Sequence, residues 1–255
     1  MRLDVLGAGP AYSDRPDSSG AAYLVRHGDS AIVLDLGQGS FPRLARAMEP
    51  SRLDAVVVSH LHPDHFIDLV PLRHYLRWEF DPIRRMRVIA PGALGERLDA
   101  LHAEAGFTEA ALDLEALEPG ERRLAAFTLE ARRVTHTDDS YGFRVSVGDG
   151  AGPGLVYSGD CGRGEDLDRL VRPGDALLCE VSFGAGPVPV DAMHLDGSAV
   201  GALAGRTGAG RVLLTHLQMG FDPVAAIASV RTVFDGVINL VVPGDRFDIR
   251  GGLRA

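Results

Sequence analysis

The sequence contains no lysine; its 26 positive charges are all arginine, set against 35 acidic residues. The resulting net charge of −9 leaves no global basic footprint of the kind a nucleic-acid backbone selects. With alanine, glycine and arginine so abundant, the missing lysine reads as codon bias rather than mechanism. Only two cysteines occur, Cys161 and Cys179, too few to staple 255 residues, which excludes a disulfide framework. No apolar run approaches the roughly 18 residues of a membrane span. The opening MRLDVLGAGP has no basic stretch followed by an apolar one, so no targeting segment is read there. A soluble, cytoplasmic protein without a membrane partner is expected. Hydrophobic residues at 45% and charged residues at 24% are ordinary globular values and exclude wholesale disorder.

The length allows one large domain or two small ones, and no repeat, low-complexity tract or linker divides it. A single domain over 1–255 is expected. Short β-branched apolar runs bounded by Gly, Pro, Asp and Ser predict strands at 3–6, 22–26, 31–36, 55–58, 87–90 and 128–134. Further strands are predicted at 142–147, 154–157, 176–181, 211–215, 236–241 and 246–250. Helical spacing covers 41–48, 64–78, 92–105, 166–171, 196–207 and 223–234. His27-Gly28-Asp29 is a hairpin signal, and Gly208 a helix stop. The pattern predicts an α/β fold: two packed sheets, each buried on both faces, with helices outside.

The chemistry concentrates in Ser59-His60-Leu61-His62-Pro63-Asp64-His65, directly after an apolar strand. Three imidazoles and a carboxylate within six residues must converge, and these are donors that borderline divalent metals prefer. With nine histidines in 255 residues, such a cluster is improbable by chance. His136, Asp160 and His216 each follow a predicted strand, where α/β sheets build their sites. Alone, each is an ordinary strand-end residue. Together with the cluster they make five histidines and two aspartates, enough for two metals if one carboxylate bridges.

In this order the motifs resemble those of the metallo-β-lactamase-fold hydrolases, over nearly the whole chain. The resemblance implies a four-layer αββα sandwich. It also implies that His60, His62 and His136 hold one divalent ion and that Asp64, His65 and His216 hold a second. Asp160 would bridge them, and Asp35, in Val33-Leu34-Asp35-Leu36-Gly37, would support the ligands from behind. Zinc suits such donors, with manganese or iron accommodated by similar sets.

Finer motifs are similar to the ribonuclease Z-like branch: Ser140-Tyr141-Gly142-Phe143-Arg144, Tyr157-Ser158-Gly159-Asp160, Leu178-Cys179-Glu180-Val181-Ser182-Phe183, Met193-His194-Leu195 and Leu213-Leu214-Thr215-His216-Leu217. In that branch the counterpart of His194 stabilises the transition state or protonates the leaving group, oriented by the counterpart of Glu180. Asp64 would orient or deprotonate the nucleophile while holding a metal. Cys161 departs from the Thr common there and is read as a small buried side chain rather than a ligand. No Gly- and Lys-rich arm interrupts the segments between His65 and His136 or between Asp160 and His194. The chain therefore resembles the short, armless members, which include cyclic-nucleotide phosphodiesterases.

The expected activity is metal-dependent phosphodiester hydrolysis on a small substrate such as a cyclic nucleotide. Nucleic acid is less favoured because each phosphate contact calls for a cation. The alternatives are a ribonuclease Z-type tRNA 3′-processing endonuclease, a lactone or thioester hydrolase on the same metals, and a non-catalytic scaffold or sensor. Leu217-Gln218-Met219-Gly220-Phe221 and Ser182-Phe183 are candidates for the pocket rim, with Phe221 able to stack on a base, although core packing is the commoner use of a single Phe. His27, His74 and His102 read as bystanders, His74 being nearest the cluster in sequence. Relatives in this branch are often homodimers, and Tyr75 and Trp78 on the 64–78 helix offer an apolar face for one.

Overall fold

The computed structural model describes residues 1–249. The first half of the chain builds one sheet from β1 (Arg2–Gly7), β2 (Ala22–His27), β3 (Ser30–Leu34), β4 (Ala55–Val57), β5 (Met86–Ala90) and β6 (Leu112–Ala116). The second half builds another from β7 (Gly120–Leu124), β8 (Phe127–Arg133), β9 (Tyr141–Val147), β10 (Leu155–Tyr157), β11 (Ala176–Glu180), β12 (Arg211–Thr215) and β13 (Val237–Leu240). A last strand, β14 (Arg246–Asp248), returns to pair with β1, giving orders β14-β1-β2-β3-β4-β5-β6 and β13-β12-β11-β10-β9-β8-β7.

Both sheets follow one plan. An antiparallel meander (β1–β3; β7–β10) passes into parallel strands (β3–β6; β10–β13). Parallel neighbours need long crossovers, and most of these carry the helices. In the first sheet they are α1 (Phe41–Ala47), α2 (Pro63–Phe66), α3 (Leu69–Trp78) and α4 (Leu94–His102); in the second, α5 (Gly197–Thr207) and α6 (Pro223–Arg231). Caps set the later helix starts: the Asp196 carboxylate accepts from Ala199 N, and that of Asp222 from Ala225 N. Gly208, in the left-handed region at φ 72°, stops α5 as its sequence position predicts.

Strand alternation distributes the core. Val5, Tyr23, Leu34, Val57, Tyr157 and Leu213 belong to one cluster between the sheets. Their neighbours of opposite parity, such as Leu24, Val33 and Val56, pack on Leu44, Leu72 and Leu98 of α1, α3 and α4. Leu177, Cys179 and Val212 do the same with Val200, Leu203 and Val230 of α5 and α6. With both faces buried, these strands read as unbroken apolar runs. The four layers are the αββα arrangement expected.

The differences from expectation have local causes. β6 and β7 went unpredicted because each is a polar outer edge, with only Leu112 and Leu124 buried in them. Charge there protects an open edge; Arg87 pairs with Glu115 at 2.6 Å. The helix expected over 64–78 is two. Pro71 has no N–H and its ring clashes with the carbonyl four residues back, and Asp68 N instead donates to Leu36 O at 3.0 Å. The helix expected at 166–171 is a single 3₁₀ turn, Gly164–Leu167. The final predicted strand ends at Arg250, which lies outside the described residues.

One buried ion pair ties the second sheet's strand starts together. Asp175, fully buried, accepts from Arg144 Nε at 2.7 Å, Arg144 Nη2 at 3.0 Å, Gly154 N at 2.6 Å and Arg172 N at 2.9 Å. Removing one member strands a buried charge. Asp175→Ala is expected to lower unfolding stability by about 3–5 kcal/mol, read by urea denaturation.

Candidate metal centre

The site is assembled where strands of both sheets end. After β4 the chain runs through Ser59, His60 and Leu61 to His62, the N-cap of α2, with Pro63 in the first turn where its missing N–H costs nothing. That single turn presents Asp64 and His65. Its backbone is docked on the first sheet: Ala21 N donates to Asp64 O at 3.0 Å and Leu36 N to His65 O at 2.8 Å. A Cβ at Gly37 would stand 1.8 Å from the Asp64 carbonyl, so only glycine fits there. Asp35 follows β3, His136 follows β8, Asp160 follows β10, Glu180 ends β11 and His216 follows β12. Asp35 and His216 are left-handed at φ 57° and 58°. Such backbone is costly for a side-chain-bearing residue and persists where surrounding structure holds it.

All seven expected ligands converge. His60, His62, His136 and Asp160 form one group of donor atoms; Asp64, His65 and His216 form another. Asp160 lies between them. Its Oδ2 is 3.7 Å from both His60 Nε2 and His136 Nε2, and its Oδ1 is 3.4 Å from His65 Nε2 and 3.5 Å from His216 Nε2. Asp64 Oδ2 stands 3.3 Å from His216 Nε2, and His62 Nδ1 3.1 Å from His136 Nε2. Tetrahedral ligands at about 2.0–2.1 Å from a zinc ion are about 3.3 Å apart, close to this spacing. Two buried atoms here, His60 Nε2 and Asp160 Oδ1, make no hydrogen bond among the described residues. Buried polar atoms are normally satisfied, so donors left open in this pattern fit a cation.

The opposite ring nitrogens are held. His65 Nδ1 donates to Asp35 Oδ2 at 2.7 Å, and His136 Nδ1 to the Met193 carbonyl at 2.8 Å. Ser59 Oγ donates to Asp35 Oδ2 at 2.7 Å and so accepts from His60 Nδ1 at 3.1 Å. Ser182 Oγ donates to Glu180 Oε2 and accepts from His216 Nδ1 at 3.1 Å. Such outer contacts fix the tautomer and aim the free nitrogen inward.

A family model described as a beta-lactamase superfamily domain matches residues 32–217, from β3 to just past His216. The chain belongs to this superfamily. A protein of Mycobacterium leprae is 33% identical over 257 residues, spanning 98% of this chain and 89% of its own length. The probable metallo-hydrolase YhfI of Bacillus subtilis is 26% identical over 255 residues, 96% of this chain and 98% of that one. The YhfI crystal structure matches with a TM-score of 0.85 at 24% identity, covering 97% of this chain and 99% of that chain. The crystal structure of human tRNase Z, short form, matches in fold with a TM-score of 0.71 at 20% identity, covering 98% and 99%.

In this superfamily member, electrostatics prepare the cluster for a cation. Burial, reinforced by the neighbouring imidazoles, holds His60 well below its usual range, and His62 and His136 are lowered for the same reasons. Burial works against charge on Asp160, but the imidazoles of His216 and His65 outweigh it and keep the carboxyl well below the ordinary range. Asp64 is lowered likewise, burial being overcome by His216 and His65. Burial also opposes charge on His65, where Asp160 and Asp35 prevail and raise it. Neutral His60, His62 and His136 beside ionised Asp64 and Asp160 are in the state that binds metal, whereas His65 gives up a proton when a cation binds.

Beside the cluster, Glu180 Oε1 accepts from His194 Nδ1 at 2.8 Å. Burial disfavours the imidazolium, but the hydrogen bond and charge of Glu180 outweigh it and lift His194 to about 9. Besides His194 and the Ser182 hydroxyl, Glu180 accepts from the backbone amides of Cys161 at 2.8 Å, Ser182 at 3.1 Å and Leu195 at 3.3 Å. Cys161 is buried, its thiol donating to the Arg163 carbonyl and pushed up in pKa by that burial, as a small core side chain.

The open face is a cleft of 320 Å³ lined by Pro10, Ala11, Tyr12, Pro63 and Gln218 around His62, Asp64, Asp160, His194 and His216. Of the expected rim, Gln218 lines it. Phe221 instead packs edge-on against Phe183 at 5.7 Å, and Ser182 is a buried relay. His74 and His102 lie apart, against Phe107, and His27 ends β2 at the hairpin. Sequence reasoning missed the relays Ser59 and Ser182 as well as Tyr157, whose hydroxyl donates to Asp35 Oδ2 at 2.7 Å. Serine adjoining a ligand histidine or a buried carboxylate was the available signal. Asp35→Asn is expected to weaken zinc binding about 10–100-fold, read by chelator competition.

Proposed function

We propose that this metallo-hydrolase cleaves a small phosphodiester, of which a cyclic nucleotide is the type, using two divalent ions, zinc foremost. His60, His62 and His136 would hold one ion and Asp64, His65 and His216 the other, with Asp160 between them. When bound, such ions supply Lewis acidity toward phosphoryl oxygens and lower the pKa of water.

The observation that carries the reading is His194, half-buried at the cleft and held by the buried Glu180. Glu180 fixes Nδ1 of His194, and the ring stands 4.7 Å from His136 and 5.9 Å from His216, centroid to centroid. With a pKa near 9, His194 carries a proton at neutral pH that it can give to a departing alkoxide from Nε2. An alkoxide leaving from phosphorus needs that proton, as does the alkoxide of an opened lactone; a stabilised thiolate needs it far less. Asp64, kept ionised, can accept a proton from the attacking water or hold it in line.

Scale and charge favour a small substrate. The cleft residues include no arginine, and histidine is the sole cationic type among them. A long RNA would call for cations along its backbone. The fold likeness to human tRNase Z makes pre-tRNA the comparison substrate.

Turnover of cyclic AMP, pre-tRNA and bis(p-nitrophenyl) phosphate, measured side by side on zinc- and manganese-loaded protein, tests this. Cyclic AMP and the aryl diester should be hydrolysed; efficient 3′ processing of pre-tRNA without cyclic-nucleotide turnover would overturn the small-substrate reading. His194→Ala should lower diester turnover by about 10²–10⁴-fold. A proton donor is active below its pKa, so wild-type activity should fall on the alkaline side as His194 loses its proton. Glu180→Gln removes the charge that raises this pKa, so this alkaline limb should move to lower pH.

A further inference from the structure

The rim of the cleft carries two side chains that the metal and proton chemistry does not use. Tyr12 is 67% exposed, although it lines the cleft beside His62 and Asp64. Among the described residues its ring has no aromatic neighbour. Gln218 lines the same cleft beside His216, and among the described residues its side-chain amide makes no hydrogen bond.

Both are mounted on loops that the fold takes trouble to hold. The Gln38 amide nitrogen donates to the carbonyls of Pro10 at 3.2 Å and Ala11 at 3.3 Å, fixing the backbone next to Tyr12. Arg15, three residues beyond Tyr12, reaches across to the loop after His216. Its Nη1 donates to Leu217 O at 2.6 Å, and its Nη2 to Gln218 O at 3.2 Å and Phe221 O at 2.9 Å. Gln218 N also donates to Ser182 O at 3.2 Å, joining that loop to the Glu180 relay. An exposed aromatic ring on a fixed backbone and an unspent amide therefore share one rim, next to the reacting groups. A fixed aromatic face costs little entropy to use, and stacking is open to any heterocyclic base.

We propose that Tyr12 and Gln218 are specificity-determining residues that hold the nucleobase of a mononucleotide substrate. The base stacks on the Tyr12 ring while the Gln218 amide meets a polar base edge. The phosphate then lies toward His194 and the metal ligands. Gln38 and Arg15 act as positioning residues for the two loops. This rests on the small-diester reading above and names what the organic part of the diester is.

Calorimetric titration of zinc-loaded protein with AMP and with ribose 5-phosphate tests it without relying on turnover. AMP should bind about tenfold tighter or more, the difference being the base alone. Tyr12→Ala should remove most of that preference and leave ribose 5-phosphate within about twofold, while Tyr12→Phe and Tyr12→Trp keep it. Gln218→Ala should narrow the preference in the same direction. The exposed position of Tyr12 makes these variants safe for folding. Equal wild-type affinities, or an undiminished AMP preference in Tyr12→Ala, would overturn the assignment. Diester turnover without an AMP preference overturns the nucleobase site alone. An AMP preference without turnover supports that site while overturning the phosphodiesterase reading.

Discussion

A carboxylate sealed from water must spend its lone pairs on donors inside the protein, and two such carboxylates, Asp35 and Glu180, organise this molecule. Asp35 takes Ser59 N, Ser59 Oγ, His65 Nδ1 and the Tyr157 hydroxyl. Glu180 takes Cys161 N, His194 Nδ1, Ser182 N, Ser182 Oγ and Leu195 N. Neither set exists unless several strands end at the right places. Tyr157 belongs to the second sheet and Asp35 to the first, so the hydrogen bond between them also sets how the two sheets meet. The cluster at the seam inherits its precision from these two hubs.

The hubs share a design. Each acts once directly on a histidine and once through a serine, Ser59 toward His60 and Ser182 toward His216. The serine proton goes to the carboxylate, which leaves its oxygen to accept from the imidazole. Four separate histidines thus present one nitrogen each toward Asp160 or the space beside it. The site's cost shows in the left-handed backbone of Asp35 and His216 and in the open donors His60 Nε2 and Asp160 Oδ1. A dry interior strengthens every charge held there, which is why one buried glutamate suffices to lift His194.

Much of this was legible in the amino-acid sequence, for identifiable reasons. Apolar runs such as Ala55–Val58 mark strands buried on both faces, and a run of ligands directly after one can only lie at a strand end. The α/β class followed from that, while the four layers and the joining of His136, Asp160 and His216 to His60, His62, Asp64 and His65 came from the resemblance of the motifs. Local chemistry hid the rest. β6 and β7 are edges, whose polar faces carry no burial pattern, and the break between α2 and α3 depends on Pro71 together with the tertiary bond from Asp68 N to Leu36 O. The serine relays were invisible because a serine gains its role only from what stands beside it in space. Phe221, which from sequence could stack on a base or pack in the core, packs on Phe183, whereas Tyr12, distant from every motif, reaches the cleft through its loop.

Two carboxylate hubs orient His60, His65, His194 and His216, and the first, second and fourth of these belong to the seven side chains proposed to hold two cations with Asp160 between them. Titrating the metal-free chain with zinc in a calorimeter, with elemental analysis of the saturated protein, tests this most directly. Two tightly held ions per chain are expected, and a stoichiometry of one or none would contradict it.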